Sequence, residues 1–211
     1  MGFMMSIVTV GSVVLQSAIN EMGYLVIAGH LAARKIIIFC MLPVATVPVA
    51  LSTFVSQNKG ADQREHIRKG VRYGNIMIMV LIWVVFMSIV LMFTAQSLVH
   101  LISGSKENII LENGSKYLSI NVPFSIVLGM LLNFRFALQG VGKKIVPLIS
   151  SVIELVGKVI FVYLLIPTLG YFGVIICEPA IWCVMFVQLL YSFYTNPYIR
   201  GKAITEKAIT E

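Results

Sequence analysis

Six long apolar runs separated by short polar gaps divide the chain, at approximately residues 3–28, 36–57, 73–93, 117–138, 145–166 and 171–193. Each is close to the roughly 20 residues an α-helix needs to cross a bilayer core. The pattern predicts an all-α integral membrane protein in which residues 1–196 form one lobe of six transmembrane helices and residues 197–211 a polar cytoplasmic tail. The third run is the clearest, since Ile76 to Phe93 holds no charge. The first carries Glu21, which at mid-membrane costs about 2.5–3.5 kcal/mol. About six Leu, Ile or Val residues offset that, provided Glu21 faces protein or a wet cavity. With no basic segment before it and a length beyond that of a signal-peptide core, the first run is expected to stay in the membrane.

Polar residues inside these runs fall on helical rows. Thr9, Ser12, Gln16, Asn20 and Gly23 recur at spacings of three and four, a stripe about 80° wide that is expected to face other helices. Glu21 lies about 100° round from Asn20. Asn121, Ser125, Gly129 and Asn133 form a second row, and Ser150, Ser151, Glu154, Gly157 and Lys158 a third. Glu154 and Lys158 have the favourable acid-first i, i+4 order and are expected to form a structural ion pair. Glu178 precedes Pro179, whose missing N–H frees a carbonyl that neighbours or water must satisfy. These rows either line a substrate and ion pathway, to which Gln16, Asn20, Glu21, Asn133, Glu154 and Glu178 are assigned, or hold helices together through small and polar contacts.

Composition agrees with lipid as the solvent: 58% of residues are hydrophobic, 12% are charged and the mean hydropathy is +0.92, against about 25% charged in ordinary soluble domains. The net charge of +7 would suggest nucleic acid in a soluble protein, but the basic residues cluster in alternate gaps. One side collects Lys59, Arg64, Arg68, Lys69, Arg72, Arg135, Lys143, Lys144, Arg200, Lys202 and Lys207, the other only Arg34, Lys35, Lys106 and Lys116. The asymmetry predicts a multi-pass protein of the cell membrane with both termini cytoplasmic. Nucleic acid is not expected as a partner.

Weaker signals add detail. Pro43 and Pro48 are expected to kink the second helix. Thr94 to Lys116 is read as the longest connection, lying along the outer surface with an amphipathic stretch at Ser97 to Ile102. The basic run from Lys59 to Arg72 sets topology or binds anionic lipid. Met1, Gly2 and Ser6 match a myristoylation pattern, and Asn113-Gly114-Ser115 is a glycosylation sequon on the outer side. Cys40, Cys177 and Cys183 sit in apolar runs without metal-type spacing, and their odd number argues against a disulfide framework. His30, His66 and His100 are scattered, and no zinc-protease helix, phosphate loop or nucleophile elbow is present. The tail repeats Ala-Ile-Thr-Glu at 203–206 and 208–211 and is expected to be exposed.

Four segments, in order, resemble the multidrug and toxic compound extrusion (MATE) transporters: LQSAINEMG at 15–23, LSTFVSQNKGA at 51–61, FRFALQGVGKKIVPLISSVIELVGKVIF at 134–161 and LGYFGVIICEPAIW at 169–182. The resemblance implies the second six-helix lobe of a twelve-helix antiporter that exports amphiphilic, often cationic drugs in exchange for Na+ or H+, without an organic cofactor. It implies a role in cation coupling for an acid in the first helix, a position Glu21 could fill, and a carboxylate at the Glu154 position. It also implies a partner: a second copy of the chain, which would form parallel repeats about an axis along the membrane normal, or a separate first lobe. A lipid-linked saccharide flippase of a related branch and a non-transporting membrane partner or fragment remain the alternatives.

Overall fold

The computed structural model describes residues 2–80 and 82–200; Leu81, the amino-terminal Met1 of the myristoylation pattern and the tail repeat at 203–211 lie outside them. Helix α1 spans Gly2–Asn20, α2 Tyr24–Gly60, α3 Arg64–Val80, α4 Ile82–Ser103 and α5 Asn108–Gly140. Helix α6 (Ile145–Ile160) continues through a π turn (Phe161–Leu165) into α7 (Ile166–Leu169), followed by α8 (Tyr171–Thr195) and a short α9 (Pro197–Arg200). No strand occurs among the described residues. Tyr24–Leu42, Asn108–Gly140, Ile145–Leu169 and Tyr171–Thr195 are each long and apolar enough to cross a bilayer, and Met4–Asn20 is a shorter apolar helix.

Two local features depart from the sequence reading. The helix expected over 3–28 breaks at Glu21–Gly23, where Gly23 adopts φ 90° with open space around it, a backbone conformation that costs glycine little. Glu21 therefore stands in a turn, and α2 starts at Tyr24, taking in the residues read as the next gap. The long outer connection is likewise absent: Ser97 to Ile102 completes α4, and only residues 104–107 separate α4 from α5. Nothing from Thr94 to Ser103 breaks a helix, so the polar side chains there did not end it, and the turn falls at Gly104 with φ 68°. The sequon consequently lies within α5. Helix α2 continues through Pro43 and Pro48.

Helix α5 is the axis of the lobe. It buries Ile110, Tyr117, Leu118, Val122, Leu131, Phe134 and Leu138 along most of its length. One apolar core joins α5 to α1, α3, α8 and the second half of α2; the other joins its first half to α4 and the first half of α2. Outward faces carry Ile38, Phe39 and Leu42 on α2 and Val184 and Val187 on α8, a surface suited to lipid. In such an environment close packing and interhelical hydrogen bonds, more than apolar burial, hold helices together. Gly29 is an instance: a Cβ there would lie 2.6 Å from the Ile110 carbonyl oxygen, and one on Gly140 would lie 2.9 Å from that of Ser52.

Two helix irregularities follow from proline. Pro167 has no N–H to donate one turn back, and the ladder beside it widens so that Ile166 N–H reaches the Phe161 carbonyl, a π turn. Pro179 leaves the Ile175 carbonyl without its donor; buried Asn121 of α5 supplies one, Nδ2 to O at 3.0 Å. The basic gaps gather at one end of the bundle. There Lys59 donates to the Val141 carbonyl at 2.6 Å, Arg68 Nε to that of Ile199 at 2.6 Å, and the Tyr198 hydroxyl to Asp62 at 3.0 Å.

Candidate functional site

Part of the polar stripe of α1 meets other helices of this lobe, Ser12 accepting from Lys158 of α6. Gly11, Leu15 and Ile19 form the buried face, while Thr9, Ser12 and Asn20 are exposed and Gln16 is half-buried. The reason is visible at Gly11, where a Cβ would lie 3.2 Å from the Lys158 Cδ and 3.3 Å from the Leu155 Cα: α1 docks its smallest residue on α6. Gln16 Nε2 donates to Asn20 Oδ1 at 2.9 Å. The second row is buried throughout, with Asn121 1%, Ser125 1% and Asn133 0% exposed, and Asn133 donates to Asn75 of α3 at 3.0 Å. Asn133 thus lies at a helix contact, away from α1.

Two ion pairs occupy the remaining polar positions. Lys158 Nζ lies 2.8 Å from Glu154 Oε1 and donates to Ser12 Oγ at 3.1 Å, which ties α6 to α1. Ser151, one turn before Glu154, accepts a hydrogen bond from Arg135 of α5. Glu178 of α8 is bound from two other helices: Arg34 Nη1 of α2 is 3.0 Å from Oε1, and the Tyr117 hydroxyl of α5 donates to Oε2 at 2.8 Å. Arg34 and Glu178 open on a cavity of about 90 Å³, lined also by Ser12, Leu15, Gln16 and Ile19 of α1. His30, one turn before Arg34, is 1% exposed; its Nδ1 is 3.2 Å from the Tyr171 hydroxyl and its ring stands edge-on to Tyr117.

Of the residues singled out in the sequence, the structure brings Gln16 and Glu178 to one cavity. It places Glu154 on the far side of the Lys158–Ser12 contact, and Glu21 elsewhere. Glu21 lines a separate groove of about 660 Å³ between the second half of α1 and the π turn and α7, with Val13, Val14, Ala18, Met22 and Tyr163. The sequence reading missed Arg34, Tyr117, His30 and Tyr171. Arg34 had been counted with Lys35 in a gap; the i, i+4 spacing of His30 and Arg34 in an otherwise apolar stretch was the available signal.

Lipid-suited helices, two interior ion pairs and a polar face on one edge helix describe a membrane bundle. The family model MatE matches residues 1–164, and the chain belongs to that family of transporters. A search of curated proteins found no match. Among solved structures, a MATE mutant crystal structure aligns with a TM-score of 0.78 at 17% identity, covering 93% of this chain and 44% of that one. A MATE protein in complex with MaD3S aligns at 0.79 and 16%, with the same coverage. A MOP superfamily transporter from Pyrococcus furiosus, described as having a binding pocket of reverse polarity that suggests a different function, aligns at 0.76 and 16%, covering 91% and 42%. The chain spans less than half the length of each, and its fold is one six-helix lobe of theirs.

Proposed function

We propose that the chain serves as the second lobe of a cation-coupled efflux antiporter in the cell membrane, exporting amphiphilic cationic drugs in exchange for Na+ or H+. Both termini are cytoplasmic in this reading, and the other lobe is a second copy or a separate chain. The observation that carries it is the groove beside Glu21. Its volume of about 660 Å³ is within the range of drug-sized sites, which combine apolar walls with a few placed polar groups. Glu21 is the only charged residue among the described residues that line it, and Tyr163 beside it is 71% exposed. An apolar wall, one carboxylate and one aromatic ring suit a hydrophobic body bearing a single positive charge.

The test is dye export from vesicles containing the 211-residue chain, with Na+ and proton gradients imposed separately. Export driven by either gradient and slowed in Glu21→Gln supports the reading. Equal export in that variant removes Glu21, and absence of export from chain that is folded and inserted, alone or with a candidate first lobe, removes the transporter assignment.

A further inference from the structure

Glu178 is built unlike the other carboxylates of the lobe. It ends a contact among three helices, with Arg34 from α2 and Tyr117 from α5 on its two oxygens. The charged and titratable groups around it are few: Arg34 and His30 on α2, Tyr117 on α5, Tyr171 and Cys177 on its own helix, and Lys158, already held by Glu154, on α6. Among the described residues of α1, the polar groups that border its cavity are the neutral Ser12 and Gln16. The pair is not sealed, because Arg34 keeps 39% side-chain exposure and both partners border the cavity under α1. The backbone at this point is also already interrupted. Pro179 removes one rung of the α8 ladder, and Asn121 fills it from a neighbouring helix, so α8 is tied to α5 at this point by a side chain.

We infer that Glu178 is a cation-exchange site of the lobe, at which a proton or Na+ arriving through the cavity under α1 displaces the tethered guanidinium of Arg34. This rests on the transporter reading for its purpose, but the exchange itself does not. When a proton arrives, an O–H bond forms at the carboxyl and the Arg34 N–H···O contact is lost. When Na+ arrives, the carboxylate stays ionised and Na+ takes the position of Nη1. In both cases Arg34 keeps its charge and turns into the cavity, where Ser12 Oγ and water accept its hydrogen bonds, while Tyr117 remains bound to Oε2. The Arg34 tie to the carboxylate opens and the Tyr117 tie does not, so ion binding releases one of the two side chains that α2 and α5 place on Glu178. An ionisable group in a transmembrane helix, paired with a named partner and reached by a polar cavity, is the arrangement ion pathways use.

Trp182, one turn after Glu178 on α8, offers a local reporter when Trp83→Phe makes it the sole tryptophan. The full chain in lipid nanodiscs is titrated with acid and, separately, with NaCl against choline chloride. The expected result is a saturable change in Trp182 emission with one of the two cations, absent in Glu178→Gln, which is isosteric, keeps one accepting oxygen and carries no charge. Arg34→Gln removes the internal competitor, and the half-saturating concentration of the active cation falls about tenfold or more, the size of effect an adjacent opposite charge exerts on a carboxylate. An unchanged response in Glu178→Gln, or no response of the parent to either cation, overturns the inference. Should Arg34→Gln not fold, Arg34→Lys replaces it, with a measurable change in half-saturation expected and an unchanged one counting against the exchange. In proteoliposomes, gradient-driven export that survives intact in Glu178→Gln also overturns this inference while leaving the transporter reading in place. Cation binding without any export does the reverse.

Discussion

Glu154 and Lys158 are one turn apart on one helix, whereas Glu178 and Arg34 come from two helices 144 residues apart in the chain. The first pair is closed, with side-chain exposures of 13% and 5%; the second has 15% on the carboxylate but 39% on the guanidinium. A charge pair inside one helix cannot change a helix–helix distance by opening, and a sealed one has no route for a competing ion. The difference teaches that charge inside the lobe serves two ends: Lys158 fastens α1 to α6, and Arg34 closes a joint that an ion can reach.

Removing one cation from each pair tests this most severely. Lys158→Met leaves Glu154 buried without its partner and is expected to lower stability by about 3–5 kcal/mol, read as thermal unfolding in detergent. The double variant Glu154→Leu with Lys158→Met recovers most of that loss, because apolar residues of similar volume commonly replace buried pairs without penalty. Arg34→Met, whose partner remains open to the cavity, is expected to cost less than half as much; equal losses would erase the distinction between the pairs. Next in size is Asn121→Leu, which leaves the Ile175 carbonyl without a donor and is expected to cost about 1–3 kcal/mol in the same assay.

The Asp62–Arg64 pair, with side-chain exposures of 66% and 34%, extends the comparison to the surface and should give the smallest effect. The Arg64 and Tyr198 hydrogen bonds hold the Asp62 carboxyl below the usual carboxylate range, so its contribution is present above an ordinary Asp pKa of about 3.9 and is lost as pH falls through the depressed folded value. A spin label at Pro197→Cys, with the three native cysteines removed, should keep a broad spectrum at neutral pH and sharpen only in stronger acid. Sharpening already at pH 6 would mean that Asp62 does not hold α9.

What the sequence revealed and what it hid divide along the range of the interactions. The all-α membrane lobe is written in apolar runs, and the second polar row reads directly as i, i+4 spacing because every member lies on the same buried helix face. The Glu178 site was half legible. Pro179 announced a carbonyl in need of a donor, but its donor, Asn121, lies 54 residues away, and Arg34 was hidden because two adjacent basic residues look like a gap. The direction of α1 was hidden for another reason: its polar stripe was the conspicuous feature, while the docking face was chosen by Gly11, which has no side chain to notice.

The glycine contacts between α2 and α5 have a mechanical consequence. The two helices run parallel and touch backbone to backbone near both ends, Gly29 against Ile110 and Gly140 against Ser52. Pinned in this way, they form a beam that resists shear, roughly 50 Å long for the 33 residues of α5 at 1.5 Å per residue. Arg34 and Tyr117 are both mounted on one end of that beam, so the two side chains that share the Glu178 carboxylate are carried by a single stiff member.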